Sequence, residues 1–307
     1  VSRVISVVIP VKDGGSELVR CLDAITSQTI DSEVEIVVVD SGSTDASVAT
    51  ARDFGAVVRE IPPREFSHGR ARNLGAALAR GDVLVFISQD AYPLEATWLE
   101  RLTSPLHEDS TLAGVYGRQL PHEGATPPER YFLGFLYGEK QRRQEAASVG
   151  ELTMETTLFS NVNAAMPRAL WQRFPFVEDI IMSEDQDWCR RVLLAGYAVR
   201  YEPKAVVWHS HNYTLGAAFR RFFDSGASAD RAYLAGDREA ARALRAAALR
   251  YARGELAWLW RSGRRRWIPY AAVYETTKFA GLVLGANHAR IPLPVKRHLS
   301  ALPSFWQ

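Results

Sequence analysis

The chain is poor in cysteine, in long apolar runs and in nucleotide-binding glycine motifs, and each shortage removes a class of protein. Only Cys21 and Cys189 occur in 307 residues. Both lie among apolar neighbours in helix-like segments, so buried, reduced thiols are expected rather than a disulfide framework or a cysteine metal site. No basic segment followed by an apolar run opens the sequence, so no signal peptide is expected. The most apolar window, Ile268 to Ala286, is interrupted by Glu275 and Lys278 and makes a poor membrane span. The first strand-to-helix turn reads "PVKDGGS", which is not G-x-G-x-x-G, and no G-x-x-x-x-G-K-[ST] occurs. A dinucleotide oxidoreductase and a P-loop NTPase are therefore both poorly supported.

What is present is a charge asymmetry. From Asn212 to Gln307 there are 16 Lys and Arg against 6 Asp and Glu, a net +10. That leaves 21 of the chain's 37 basic and 29 of its 35 acidic residues elsewhere, a net −8. An acidic body, 1–211, is joined to a basic helical extension, 212–307. Such a segment suits anionic lipid, phosphate or nucleic acid, or else is a solvated helix surface. It has no recognisable nucleic-acid-binding motif, so no nucleic-acid partner is expected. Arg261, Arg264, Arg265 and Arg266 cluster beside Trp258, Trp260 and Trp267, a composition that points to reversible contact with an anionic membrane surface. The expected place is cytoplasmic, peripheral at the inner face of the cell membrane.

The first part of the chain alternates strand-like and helix-like segments. Strands are expected at Ser6–Val11, Val34–Val39, Ala56–Ile61 and Val83–Ile87. Helices are expected from Ser16 to Gln28, from a Thr44 or Asp45 cap to Phe54, and from Gly69 to Arg80, where Gly81 ends the helix. This rhythm predicts an α/β fold around a parallel sheet with right-handed crossovers. Further on, Thr97–Leu106 reads as a helix, Ala113–Gln119 as a strand and Pro121–Pro128 as a loop. "SEDQDWCRRVLLAGY" reads as a helix capped by Ser183, with Glu184 and Asp185 at its positive end and Gly196 at its close. Two short strands, Val199–Tyr201 and Ala205–Trp208, follow, and from Thr214 onward helices dominate.

Three acids fall at strand ends: Asp13 after "VVIPVK", Asp40 after "EIVVV" and Asp90 after "VLVFISQ". Ligands bind outside the carboxyl ends of strands in open α/β sheets. Each acid alone reads equally as a turn residue, but together they mark one sheet edge as a site for ribose or base contacts, or for a hard cation carrying phosphates.

Taken in order, "SVVIPVKDGG", "VVVDSGSTDAS", "FSHGRARNLGAALARGDVLVFISQDAYP" and "SEDQDWCRRVLLAGY" resemble a family 2 inverting glycosyltransferase over roughly residues 4–211. "GRQLP", "FSNVNAAMPRALW", "HSHNYTL" and the C-terminal tail resemble bacterial rhamnosyltransferases. The resemblance implies a GT-A (Rossmann-like) nucleotide-sugar-binding sheet with a C-terminal helical extension. It implies a nucleotide-diphosphate sugar donor, dTDP-L-rhamnose, and a saccharide or lipid-linked glycan acceptor. Pro10, Val11 and Asp13 would line the nucleotide pocket, Asp40 would meet the base or ribose, and His68, Arg72, Asn73 and Gln89 would lie on the donor side. Asp90 matches the last acid of the family's D-x-D motif, here Ser88-Gln89-Asp90 without the first carboxylate. With His211, and less directly His209, it would hold Mg²⁺ or Mn²⁺. Asp185 matches the catalytic base, with Glu184 and Trp188 toward the acceptor.

The chemistry asks for the same parts. A departing diphosphate needs its charge neutralised, which a cation held by few carboxylates and several waters does. The attacking hydroxyl needs one base. Glu184 and Asp185 are also sufficiently explained as helix N-terminal acids, and Trp171, Trp188 and Trp208 as core. Two other readings stay open: a nucleotidyltransferase or other nucleotide-sugar enzyme, for which "PVKDGG" offers only Lys12 as a phosphate ligand, and a non-catalytic membrane-associated binding module.

Overall fold

Runs rich in Val, Ile, Leu and Phe build the centre of the molecule, because a strand covered on both faces favours apolar side chains at successive positions. The computed structural model describes residues 4–229 and 238–306. Strand β1 (Val4–Val11) is followed by helix α1 (Gly15–Thr26), β2 (Glu33–Asp40), α2 (Ser47–Asp53), β3 (Val57–Glu60), α3 (His68–Leu78) and β4 (Val83–Ile87). β1, β2, β3 and β4 pair in parallel. The register sets Val11 opposite Asp40, so the loops after β1 and β2 leave the same edge side by side.

Beyond β4 the sheet becomes mixed. The chain continues through β5 (Tyr92–Pro93), α4 (Trp98–Glu108), β6 (Leu112–Leu120), α5 (Pro127–Leu136), β7 (Arg142–Gln144), β8 (Asn163–Pro167), α6 (Arg168–Arg173), α7 (Glu184–Leu194) and β9 (Ala198–Trp208). The strand order is β3-β2-β1-β4-β8-β6-β9-β5, with β7 on β9. β8 runs antiparallel to both β4 and β6, whereas β9 is parallel to β6. The segments expected as two strands at 199–201 and 205–208 are one strand, β9. Its register jumps between the Gly117–Glu202 and Arg118–Val206 pairs, a bulge that keeps one chain in the sheet across Pro203.

Helices cover both faces. Leu18, Cys21, Leu22 and Ile25 of α1 pack with Trp98, Leu99 and Leu102 of α4 on Val7, Ile9, Val38 and Val85. On the other face Trp188, Cys189 and Val192 of α7 join Ala76 of α3 on Val8, Val37 and Phe86. Cys21 and Cys189 are buried free thiols, as expected.

Three expected helix ends are corrected. α3 stops at Leu78 with Ala79 as its cap, so Gly81 does not end it. Gly81 serves a close approach instead: a Cβ there would lie 2.5 Å from Ser6 Oγ and 2.6 Å from the Val4 carbonyl oxygen. The residue at the N-cap of α2 is Ala46, although Asp45 Oδ1 still accepts from the Ser47 N–H at 3.0 Å. Ser183 does stand at the N-cap of α7, but in a left-handed conformation, φ 64°, and its hydroxyl makes no cap hydrogen bond.

The extension consists of α8 (Leu215–Ala229), α9 (Arg238–Arg261), α10 (Ile268–Ala286) and α11 (Leu293–Leu299). Residues 230–237 of the basic segment lie outside the described residues. α8 rests on the loop before α7: the Met182 N–H donates to Ser228 Oγ at 3.0 Å, and Ile181 and Met182 share an apolar cluster with Phe223 and Trp306.

Candidate active site

The loops leaving β1 and β2 are stitched into one ledge. Asp13 takes a positive φ of 46°, which aims its carboxylate at the neighbouring loop: Oδ1 accepts from the Thr44 N–H at 2.7 Å, and the Asp13 N–H donates to Ser43 Oγ at 2.8 Å. The Thr44 backbone bond holds the Asp13 carboxyl below its ordinary pKa. Buried Asp40 organises the β2 loop from within, its Oδ1 accepting from the Gly42 and Ser43 N–H groups at 2.8 and 2.9 Å. The Gln89 amide clips the end of β4 to this ledge through the Lys12 N–H and carbonyl, at 2.8 and 3.0 Å.

Across the β4 end lies a group of metal-ligand type. Asp90 Oδ2 is 3.4 Å from His211 Nε2, and Asp90 Oδ1 is 3.7 Å from His209 Nε2. The three potential ligand atoms lie within 4.8 Å of one another. The tautomer of His209 follows from its other side. Gln119 Nε2 donates to Tyr137 and Ser160, at 2.8 and 3.0 Å, so Gln119 Oε1 is an acceptor. With the Gln119 amide in this orientation, that oxygen, 2.9 Å from His209 Nδ1, accepts from a protonated Nδ1, and Nε2 keeps a free lone pair toward Asp90. Burial pushes the His209 pKa down to about 4, with Asp90 opposing, and it lowers His211 as well. Two neutral imidazoles and a carboxylate fit a divalent cation that keeps further positions for diphosphate oxygens and water. The cluster opens on a cleft of about 810 Å³ lined by Asp90, Tyr92, His122, Arg130, Trp208 and His211.

The first turn of α7 separates two adjacent acids by environment. Glu184 is buried, with Arg72 Nη1 2.8 Å from its Oε1 and Asn161 Nδ2 at 3.2 Å. Burial raises its pKa, but Arg72, His68 and Asn161 outweigh that and the net direction is down. Asp185 is half-buried and, among the described residues, accepts from the Asn161 and Gln186 N–H groups, at 3.2 and 2.9 Å. Burial, then the charge of Glu184, push it up to about 7. A carboxylate near neutrality is tuned to exchange a proton at physiological pH. Ser160 and Asn161 are consecutive, so one segment touches both groups: His209 by way of Gln119 and Ser160, and Asp185 by way of the Asn161 N–H.

The glycosyl transferase family 2 model matches residues 6–172. The chain belongs to that family. It is similar to the O-antigen chain rhamnosyltransferase RfbN of Salmonella typhimurium, 34% identical over 98% of this chain and 96% of the relative. It is also similar to WbaN of Salmonella anatum, an O-antigen chain rhamnosyltransferase, 33% identical over 89% and 86%. Among solved structures the mannosyltransferase PcManGT from Pyrobaculum calidifontis, in complex with GDP-Man and Mn²⁺, superposes with a TM-score of 0.62 at 18% identity, covering 94% of this chain and 87% of that one. The fold is GT-A and the protein is a glycosyltransferase.

For this family 2 enzyme the structure redistributes several of the expected roles. Pro10 and Val11 end β1 beside Asp40, and Asp13 borders the same ledge. Arg72 is not free to reach a phosphate, because it is buried against Glu184. Asn73 does not face the donor either. Its amide donates to the Phe176 carbonyl and Glu178, and accepts from Trp171 Nε1 and the Phe176 N–H, so it ties α3 to the loop before α7. His68 is half-buried edge-on to Phe66, 5.1 Å between ring centroids, and burial pushes its pKa down to about 4. Trp188 cannot floor an acceptor site: it is fully buried, 4.9 Å from the Phe159 ring. Glu184 is covered as well, and what it exerts outward is its charge on the neighbouring Asp185.

Four contributors carried no role in the sequence reading. Gln119, Ser160 and Asn161 lie in "GRQLP" and "FSNVN", stretches that marked the resemblance but offered no acid, base or ligand to single out. Asn161 Oδ1 is buried without a partner. The fourth is Arg221 of α8. After burial and the nearby acids, its positive charge is a further influence on His68, His209 and His211, and it hydrogen-bonds Tyr213. The extension thus brings a cation to the edge of the cluster.

Proposed function

We propose that the enzyme transfers L-rhamnose from dTDP-L-rhamnose, with inversion, to a hydroxyl of a lipid-linked glycan destined for a bacterial surface polysaccharide. The observation that carries the chemical part is that the segment Ser160–Asn161 touches both groups: Ser160 Oγ accepts from Gln119, which holds His209 of the Asp90–His209–His211 cluster, and the next N–H donates to Asp185. The sugar is supported by the two O-antigen chain rhamnosyltransferases, whose similarity runs over most of the chain.

In this reading the ledge formed by Lys12, Asp13 and Ser43 receives the nucleoside, and buried Asp40, expected to meet the base or ribose itself, instead braces the ledge from beneath because the loop takes up both its oxygens. Asp90, His209 and His211 hold a divalent cation, and the two imidazole nitrogens favour Mn²⁺ over Mg²⁺. Once bound, the ion neutralises the charge that develops on the departing diphosphate. Asp185 takes the proton of the acceptor hydroxyl as its oxygen attacks the anomeric carbon. The bond from that carbon to the diphosphate breaks as the new glycosidic bond forms, and nucleoside diphosphate leaves. The Asn161 and Gln186 N–H groups keep the Asp185 carboxylate aimed. One base suffices because no covalent glycosyl intermediate is formed, in contrast to the paired carboxylates of retaining hydrolases.

The test is turnover of dTDP-L-rhamnose, GDP-mannose and UDP-GlcNAc with a lipid-linked saccharide acceptor, with the product's anomeric configuration read by NMR. Release of dTDP and an inverted rhamnoside are expected. Faster turnover of another donor would remove the rhamnose assignment, and release of pyrophosphate would mean nucleotidyl transfer.

A further inference from the structure

Helix α10 was too interrupted by charge to span a membrane, and among the described residues no helix is long and apolar enough to cross one. The structure shows where its charges go. Lys278 is buried, its Nζ 2.8 Å from Glu275 Oε1 and within 4.8–5.4 Å of the Phe132, Phe222, Tyr251 and Tyr274 ring centroids. Both charged residues of α10 therefore face the protein. On that inner side Gly281 and Gly285 let α8 approach so closely that a Cβ would lie 2.5 Å from the Phe219 carbonyl oxygen and 1.9 Å from that of Phe223.

The outer side is left without a charge. Val273, Phe279, Val283 and Leu284 are 51%, 45%, 45% and 40% exposed, and Pro269, Ala272, Thr276 and Ala280 are exposed between them. At 100° per residue these positions form one face, about 22 Å long at 1.5 Å per residue. Cations stand at both ends: Arg264, Arg265 and Arg266 are exposed before the helix, and Arg290 and Arg297 after it. Trp260, 55% exposed, lies 4.0 Å under the Arg265 guanidinium beside the first group.

We propose that this face of α10 docks on an anionic lipid bilayer, with the helix lying in the plane of the interface. An uncharged apolar stripe between two groups of arginines suits acyl chains below and phosphates beside it. A second copy of the chain fits worse. In a parallel pair Arg264–Arg266 would meet their own copies, and in an antiparallel pair they would meet Arg290 and Arg297, with like charges opposed either way. The inference moves the membrane contact from the arginine and tryptophan cluster to a whole helix face. It does not depend on which sugar the enzyme transfers. Because α8 packs on α10 and carries Arg221 to the catalytic cluster, the bilayer and the site would share one helix.

The experiment is co-sedimentation of the full chain with phosphatidylglycerol-containing vesicles and with pure phosphatidylcholine vesicles, across a salt series. Binding to the anionic vesicles that falls with salt is expected. F279D/V283D should abolish it, and R264S/R265S/R266S should weaken it on the order of 100-fold. Both variants should keep the wild-type thermal shift with nucleoside diphosphate and Mn²⁺, which reports an intact fold and donor site apart from the lipid contact. Undiminished vesicle binding by F279D/V283D would overturn the proposal. So would equal binding to both vesicle types, or a dimer in solution that the same pair of aspartates breaks.

Discussion

Arg72 of α3 and Glu184 of α7 lie 2.8 Å apart with side chains only 7% and 6% exposed, a buried ion pair whose two charges both act on Asp185. Removing one partner of such a pair leaves the other charge buried and uncompensated. Arg72→Met should therefore lower stability by about 3–5 kcal/mol, and Arg72→Met combined with Glu184→Gln by less than that. Denaturant unfolding at neutral pH measures both. A double variant as unstable as the single one would mean that the pair is not what holds α3 to α7.

With Asp185 as the proposed base, the same pair should set the pH dependence of turnover. Burial and then the negative charge of Glu184 hold Asp185 up at about 7. Glu184→Gln removes the repulsion and frees Arg72 to act on Asp185 alone, and both changes lower the Asp185 pKa. The acid limb of the kcat/KM profile should move to lower pH, the sign expected when a base becomes easier to ionise. An unmoved limb would mean that Asp185 is not the group that titrates.

Asp185→Asn separates function from stability. Its amide cannot accept the proton, so turnover should fall by a factor on the order of 10²–10⁴ with donor affinity nearly unchanged. Stability should move the other way. The folded carboxyl keeps its proton up to about 7 against 3.8 in the unfolded chain. Its contribution is therefore complete below the unfolded value and is lost as pH rises through the folded one. The variant should be at least as stable as wild type at pH 8, and its Tm should fall less than wild type between pH 5 and pH 8. A loss of activity under tenfold would require a different base.

How far the sequence could lead depended on how local the determinants were. β1, β2 and β4 were legible because strands buried on both faces read as apolar runs, and Asp13, Asp40 and Asp90 then fell at the strand ends. β8 was not, since "NAAMP" is short and built of small residues, and its antiparallel place between β4 and β6 is decided by partners far away in sequence. Trp188 was misjudged by spacing: three residues after Asp185 it shares a helix side with that acid, but the α7 face it occupies is pressed onto Phe159 and Phe176. Gln119 could not be found because its value comes from β6 lying beside β9, which sets Leu120 opposite Trp208 and so brings the amide to His209. Arg221 was one arginine among many in the extension until α8 was seen to lean on the loop before α7.

The cation cluster gives a test on both of its shells. Asp90→Ala removes the single carboxylate and should abolish the dependence of nucleoside diphosphate binding on Mn²⁺ while leaving the fold intact. Gln119→Leu keeps every ligand but frees the His209 tautomer, and it should weaken Mn²⁺ affinity about 10–100-fold. Calorimetry with nucleoside diphosphate, with and without the metal, reads both. Unchanged metal dependence in Asp90→Ala would exclude these residues as the site.

Arg221 supplies the last prediction. Arg72 is consumed by Glu184 and so is not offered to the diphosphate side. Arg221 is half-buried, its charge reaches His209 and His211, and its guanidinium is steadied by the Met182 sulfur and by Tyr213. A guanidinium so placed complements a doubly charged diphosphate and has nothing to offer a neutral nucleoside. Arg221→Ala should therefore weaken nucleoside diphosphate binding on the order of 10-fold to 100-fold, as expected for losing a hydrogen bond to a charged group. Affinity for the nucleoside alone should stay within twofold (a ratio of binding constants worth about 0.4 kcal/mol at RT ≈ 0.59 kcal/mol). Arg221→Lys should recover only part of the loss, since an ammonium keeps the charge but not the planar fork. Parallel titrations of nucleoside, monophosphate and diphosphate separate the contributions. An equal loss for all three would show that Arg221 merely holds α8 in place, and no loss for any would leave the diphosphate to the cation cluster alone.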